Sequence, residues 1–381
     1  MKKRQIIFKR KFYLLLILVF FCWILFIAFK NVEKLSDIET KDNSFEIQSA
    51  INNNVGKKLI FDKKTYVISK TIKIPSNIEI DFSNSIIKRK AGTSAFDMIV
   101  NSDNLKGNHN IVIKNLIIDG NKDIDNFIAM NVNNRFSGLK LENVKNSKLE
   151  NITVKGTVNG ENQGDVTSKV PAAGIYFLKS KNIQCQEING YNNDRTAIFI
   201  NQSKVKINHS TTYNNLGSGI SGTHANDSEY YNIVSYNNGY SNVSINGLRS
   251  KVSNVKTFGS KFSGLNVGHE GVPSDNSTIS NVESFKNSYE GLTIAGSKSV
   301  YANNIIVYDN VRTNIWVFRN SNASILQNIV SKNPISGIGI RYDSGTKHIL
   351  RNVELMNIEA NNIKVAPNVK VEKSNIRTLK D

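Results

Sequence analysis

Five side chains in the C-terminal half of this chain could together take a proton from a carbon beside a carboxylate: His224, His269, Arg319, Arg341 and Tyr342. A histidine titrating near neutrality serves as a general base. An arginine pairs with a carboxylate through its planar fork and stabilises the carbanion-like state left when the proton departs. A tyrosine hydroxyl can return a proton, either to a leaving oxygen or to the opposite face of the carbon. On a sugar acid this is the chemistry of uronate elimination or C5-epimerisation. His269 and His224 are the candidate bases, Arg341 and Arg319 the candidate carboxylate partners, and Tyr342 the candidate acid. Glu270 and Asp343 lie beside them in sequence. These residues are widely spaced along the chain, so a repeating fold must gather them.

That repeat is visible. A small-apolar-x-apolar phrase begins at Gly174, Ala197, Gly219, Asn242, Gly264, Gly291, Asn314 and Gly337, in steps of 23, 22, 23, 22, 27, 23 and 23 residues. A second phrase accompanies each, among them NITV at Asn151, SNVKTF at Ser253 and RNVELMN at Arg351. Both alternate apolar with polar residues and place β-branched side chains on the apolar side, the pattern of strands buried on one face. Asn, Gly and Ser fill the bends. A regular period of this length makes each repeat one turn of a solenoid. The leucine-rich signature is absent, and a propeller blade needs a longer repeat. The fold class is therefore all-β, a single parallel β-helix, with asparagines at the bends stacking into ladders inside the coil.

Stacking one phrase on the next sets residues in columns. Outward positions on the first sheet read Tyr176, Phe199, Ser221, Ser244, Asn266, Thr293, Trp316 and Gly339. The aromatic members would stack on sugar rings, and Asn266 would bond to hydroxyls. Further along each coil come Asn201, Thr223, Asn246, Phe318 and Arg341, then Gln202, His224, His269, Arg319 and Tyr342. Stacked strands lie ~4.8 Å apart, so two coils separate His224 from His269 by ~10 Å. The histidine column has the parity of inward residues, so the strand must bend there for it to face a ligand. Asp194 and Arg195 sit at a bend entering a coil, with Arg312 in the equivalent place five coils on, and form a candidate substrate clamp.

Two insertions interrupt the period. About thirteen extra residues fall in TVNGENQGDVTSKVPAA, before one strand of this sheet, and about four in GHEGVPSDNS, after another. They would wall a groove on both sides of the sheet, the shape a linear polymer needs.

The N-terminal portion reads differently. Basic residues in 1–11 precede an uncharged apolar run, Phe12 to Phe29, of membrane-spanning length. The expectation is a transmembrane signal anchor at 12–29, a linker at 30–42 and a β-helix domain at 43–381. The basic flank would leave the N-terminus in the cytoplasm and the β-helix outside the plasma or inner membrane. Net charge is +18, of which +12 lies beyond residue 41. For an exported domain this favours an acidic polysaccharide over nucleic acid as partner. Cys22 and Cys185 cannot pair, and no Cys or His set has zinc-ligand spacing. Asn43 to Asn53 reads as an amphipathic helix plugging the first coil, with Asn43 and Glu46 resembling a capping box. The tail after Asn362 would close the other end.

The opening FEIQSAI…KKLIFDKKTYVISKTIKIPSNIEIDF, followed by NHNIVIKNLIIDGN at 108–121, resembles the start of pectin-lyase-like right-handed parallel β-helix proteins. The resemblance covers roughly residues 43–365. It implies a right-handed coil and membership of a superfamily of polysaccharide lyases, polygalacturonase-type hydrolases, uronate C5-epimerases and phage tailspikes. Trimers occur among such proteins, which leaves a trimer open. The hydrolase motifs are reduced to echoes, GHEG at 268–271 and GIR at 339–341. The epimerase DPHD motif and the calcium-binding aspartates of pectate lyases are absent, so no cofactor and no tightly held calcium is expected. The expectation is an anchored lyase or C5-epimerase acting on a uronate-containing polysaccharide. The alternatives are a non-catalytic glycan-binding or assembly protein and a glycoside hydrolase of the same fold.

Overall fold

The computed structural model describes residues 41–123, 135–158, 172–269, 271–357 and 362–379. Among these residues no helix is long and apolar enough to cross a membrane. The span expected at 12–29 lies outside them, with the basic segment 1–11 and most of the linker. The architecture is accordingly corrected to an all-β right-handed parallel β-helix with an N-terminal helical cap and no transmembrane helix among the described residues. The membrane is withdrawn with it, both as a partner and as a location.

Each coil supplies one long and one short strand, such as Lys251–Phe258 and Leu265–Val267. The long strands stack in parallel into one sheet from Lys58–Ile60 to Val371–Leu379, and the short strands into a second from Ile72–Ile74 to Ile363–Val365. Inward residues such as Val252, Val255, Leu265 and Val267 are buried and form one continuous core. Each buried aliphatic side chain of this kind contributes roughly 1.5–3 kcal/mol.

Bends rather than turns shape the long strands. Asn254 and Asn281 take φ of 56° and 53°, and the same left-handed corner recurs in successive coils. Asparagine enters this region at low cost. The corner resets the alternation, so Val252 and Val255 both point inward although three residues apart. A second asparagine ladder lies inside the coil, at the corner before the short sheet. There the Nδ2 atoms of Asn193, Asn215 and Asn287 donate at 2.9 Å to Oδ1 of Asn215, Asn238 and Asn310. Buried amides are tolerable because the stack satisfies them.

Helix α1, Ser44–Asn52, plugs the first coil with Ile47 and Ile51. Gln48 completes the plug. Its Oε1 accepts from Lys73 N at 2.8 Å and its Nε2 donates to Lys73 O at 3.0 Å, so the amide substitutes for a strand at the sheet edge. The capping box does not form as expected. Asn43 Oδ1 accepts from Val67 N rather than from the helix, and its Nδ2 donates to the Glu46 carboxylate. The tail also departs from expectation. Ile363–Val365 and Val371–Leu379 add another coil to both sheets instead of closing the end.

Candidate functional site

The outward column of the short sheet runs in register through Lys140, Tyr176, Phe199, Ser221, Ser244, Asn266, Thr293, Trp316 and Arg341. Its last member corrects the sequence reading. Ile315 pairs with Ile340, so the final phrase starts at Gly339 (GIRY) and not Gly337 (GIGI). A turn closed by Gly337 N donating to Pro334 O, with Gly337 at φ 74°, takes up the two residues. Arg341 therefore faces outward beside Trp316, and Tyr342 faces inward beside Val317. Tyr342 is fully buried and burial pushes its phenol far up, so its hydroxyl lies inside the coil and not at a ligand face.

The trailing edge of this sheet collects the charged candidates. Gln202, His224 and Arg319 all take a left-handed φ near 50°, the bend that turns this column outward. His224 and His269 are both exposed. Gly296 stands between His269 and Arg319, at φ 61° and without a side chain to obstruct. Arg319 reaches back over it, and its Nη1 lies 3.3 Å from His269 Nε2. A guanidinium can only donate, so Nε2 is the acceptor in this contact. The Arg319 guanidinium also lies 5.2 Å over the Phe318 ring, which stacks on Trp316 at 3.9 Å. Trp316 Nε1 donates to Asp343 Oδ2 at 2.8 Å, and Arg341 Nε donates to Asp343 Oδ1 at 2.8 Å. Arg341, Asp343, Trp316, Phe318, Arg319 and His269 thus form one connected strip.

Polar groups cover the floor beside it. Thr293 Oγ1 donates to Asn266 Oδ1 at 2.6 Å, and Asn266 Nδ2 donates to Ser244 Oγ at 3.1 Å. Asn246 Nδ2 donates to Gly222 O at 2.7 Å.

The leading edge holds residues that sequence reasoning missed. Tyr240, Phe262 and Tyr289 stack from coil to coil, and the Arg312 guanidinium caps them 3.7 Å from the Tyr289 ring. Arg195 heads the same column through Gly217, as the backbone hydrogen bonds show. Next to it Glu290 is 2 % exposed, in a column otherwise held by Ser218, Ser241, Ser263 and Thr313. Burial raises its pKa; a hydrogen bond from Ser263 Oγ at 3.1 Å and the charges of Arg312 and Arg341 oppose that rise. Burial likewise raises the Tyr240 phenol, and the charge of Arg319 pulls it back down. In sequence, Arg195 and Arg312 already stood at equivalent bends, and the signal left unread between them was an aromatic at the bend in three consecutive repeats.

Other expected residues fall outside this set. Tyr176 is 1 % exposed, stacked on Phe199 at 5.4 Å and bonded to Asn201 Nδ2, so it is not a free platform for a sugar. Asp194 is tied to Lys122 Nζ at 2.7 Å with both side chains largely buried, which removes it as a free clamp. Glu270 lies outside the described residues, as does most of the long insertion, 159–171. A concavity of about 1040 Å³ lies not here but on the long sheet. The short sheet remains the candidate site because its outward face and edges carry His269, Arg319, Arg341 and the buried acid Glu290.

No protein-family model and no curated protein matches the chain. Solved structures do. The A-module of the mannuronan C-5 epimerase AlgE6 of Azotobacter vinelandii superposes with a TM-score of 0.65 at 13 % identity, over 90 % of this chain and 96 % of that one. Pre-mature gene product 12 of bacteriophage phi29 gives 0.66 at 14 %, over 92 % of this chain and 54 % of that one. The periplasmic alginate epimerase AlgG gives 0.51 at 14 %, over 83 % and 78 %. At such identities the likeness is one of fold alone, that of a right-handed parallel β-helix, with no subfamily assigned.

Proposed function

We propose that this chain acts on a uronate-containing polysaccharide at the outward face of the short sheet, in a reaction that begins by removing the C5 proton. The observation that carries this reading is the strip joining Arg341 and Arg319 to His269 through Trp316 and Phe318. The fold shared with a mannuronan C-5 epimerase and an alginate epimerase supports it by analogy.

Arg341 spends Nε on Asp343, and its Nη atoms make no hydrogen bond among the described residues, so they are available to a sugar carboxylate. Burial raises the Glu290 pKa and so disfavours the charged form that would compete for Arg341 and Arg312. A carboxylate that draws Arg319 away frees the Nε2 lone pair of His269. That nitrogen then takes the C5 proton, and the electron pair spreads into the carboxylate held by arginine. Return of a proton to the opposite face gives the epimer. Breakage of the C4–O bond with protonation of the leaving oxygen gives elimination.

The test incubates the full-length chain with alginate, polygalacturonate and hyaluronan in deuterated water. Deuterium at C5 with intact chains identifies epimerisation, and unsaturated chain ends identify elimination. Both signals should vanish in His269→Ala and fall in Arg341→Ala. Absence of both signals in the wild type would refute the reading, and retention by the same polymers without chemistry would mark a binding protein.

A further inference from the structure

The long sheet carries a face that this chemistry does not use. Its strands fold at the outer asparagine corner, and the two halves enclose the groove of about 1040 Å³. The groove follows the corner from Asn232 to Asn375, six coil rises or ~29 Å.

Its lining has three independent features. The first is the row of corner amides. Nδ2 of Asn254, Asn281 and Asn304 each donates to Oδ1 of the preceding corner asparagine at 3.0–3.1 Å. Each amide spends one of its two N–H groups this way, and Asn328 Nδ2 turns to Asn303 Oδ1 rather than to Asn304, which leaves a donor on each amide and acceptor lone pairs on Asn281 and Asn304 for the groove.

The second is apolar surface. Val234 and Ile306 point outward on the groove wall, 36 % and 42 % exposed. Beside them runs a half-exposed strip of six rings from Tyr191 to Tyr308, with centroids 4.7–5.1 Å apart. The rings stack on one another, so their edges form the surface. The strip adds partly exposed apolar surface to this outer face.

The third is charge. In a chain of net charge +18, the groove's ionic residues balance and are turned on the wall itself. Lys256 Nζ pairs with Glu283 at 2.8 Å and lies 5.3 Å over the Phe285 ring, and Tyr308 Oη donates to Glu283 at 2.7 Å. Glu354 lies opposite Arg377 in the next strand pair. The lining itself carries no net charge with which to hold a polyanion.

We propose that this groove binds an uncharged linear polysaccharide. Such a chain offers hydroxyls in a repeat close to the coil rise, for which the unspent amide valences are partners, and C–H faces that pack on the aliphatic and ring-edge strip. A polyanion is served instead by the arginines of the short sheet. The groove site is independent of the C5 chemistry and stands or falls separately from it.

The test is affinity electrophoresis of the full-length chain through gels containing dextran, mixed-linkage β-glucan or galactomannan. At least one should retard the wild type. Ile306→Lys places a charge in the groove from an outward position and should weaken retardation about tenfold. Arg341→Ala, on the other sheet, should leave it unchanged. Val330→Lys, one coil along in the same column, makes the same test should Ile306→Lys fail to fold. Three results would overturn the proposal: no retardation by any of the three polymers, equal retardation of both groove variants, or wild-type self-association by sedimentation that Ile306→Lys abolishes. The last would assign the face to a second copy of the chain.

Discussion

Tyr342→Phe tests the register on which the site is built. A tyrosine at a ligand face donates its proton, and its loss as a general acid costs roughly 10²–10⁴ in rate. The structure puts the ring inside the coil, fully buried, with its Oη making no hydrogen bond among the described residues. Replacement by phenylalanine removes one oxygen, breaks no bond seen there and leaves almost no cavity. A buried hydroxyl without a partner costs about 1–3 kcal/mol, part of which relaxation recovers. The variant should therefore be more stable than the wild type by about 1 kcal/mol, with an unchanged dependence of free energy on denaturant. C5 exchange should stay within about twofold of the wild type, far from the loss expected of a general acid. Urea unfolding and the deuterium assay measure the two quantities on the same samples. A rate loss near a hundredfold in a folded variant would place the hydroxyl at the substrate and refute the GIRY register. A loss of stability would mean that the hydroxyl has a buried partner.

Glu290→Gln addresses the buried acid. Burial raises its pKa above the ordinary 4.5, so its stabilising contribution is full below that value and is lost as pH rises through the folded pKa. The variant should gain stability relative to the wild type as pH climbs through this window in a denaturation series; parallel curves would refute the assignment. Asp42 runs the other way. Burial alone would raise its pKa, but bonds from Ser44 and Ser69 outweigh that and bring it to about 2. Its contribution is present above 3.8 and lost as pH falls toward about 2, so Asp42→Asn should flatten the acid limb of the melting curve. Asn287→Ala removes a buried amide that accepts from Ser260 N and Ser260 Oγ and donates to Asn310 and Ser284. It should cost about 3 kcal/mol in urea unfolding, and a loss below 1 kcal/mol would mean that the interior ladder does not hold the coils together.

The coil was legible because every turn repeats the same apolar alternation, and burial on one face forces that alternation wherever a strand crosses the core. Val252, Ile279 and Ala302, stacked in register and buried, show the rule operating. The same rule misplaced Arg341 and Tyr342. GIGI and GIRY both satisfy it, and only the turn at Pro334–Gly337 decides between them. Exchanging the two phrases moved one side chain from the solvent to the core and the other from a neighbouring column into line with Trp316.

The site residues were harder to read for a related physical reason. A left-handed corner resets the alternation, so residues at or beside it escape the period-2 rule that places all the others. His224 and Arg319 have the parity of inward residues yet face outward, because the backbone turns at φ near 50° where they sit. Glu290 lies at the opposite corner, where Gly291 lets the chain enter the sheet. Its burial comes from neighbouring coils about 25 residues away, which no local pattern records. A β-helix can place side chains outward from a strand or at the corners between strands. Outward strand positions stack identical environments, and their contents here are platforms and hydrogen-bonding floors such as Ser244, Asn266 and Thr293. Corners are where one coil can differ from the next without disturbing the core. Gly296 illustrates this, because it stands at φ 61° between His269 and Arg319, which meet across it from two coils apart. In a fold built by repetition, chemistry belongs at positions that the repetition leaves free. That is also why an acid as consequential as Glu290 looks in sequence like one more charged residue at a bend.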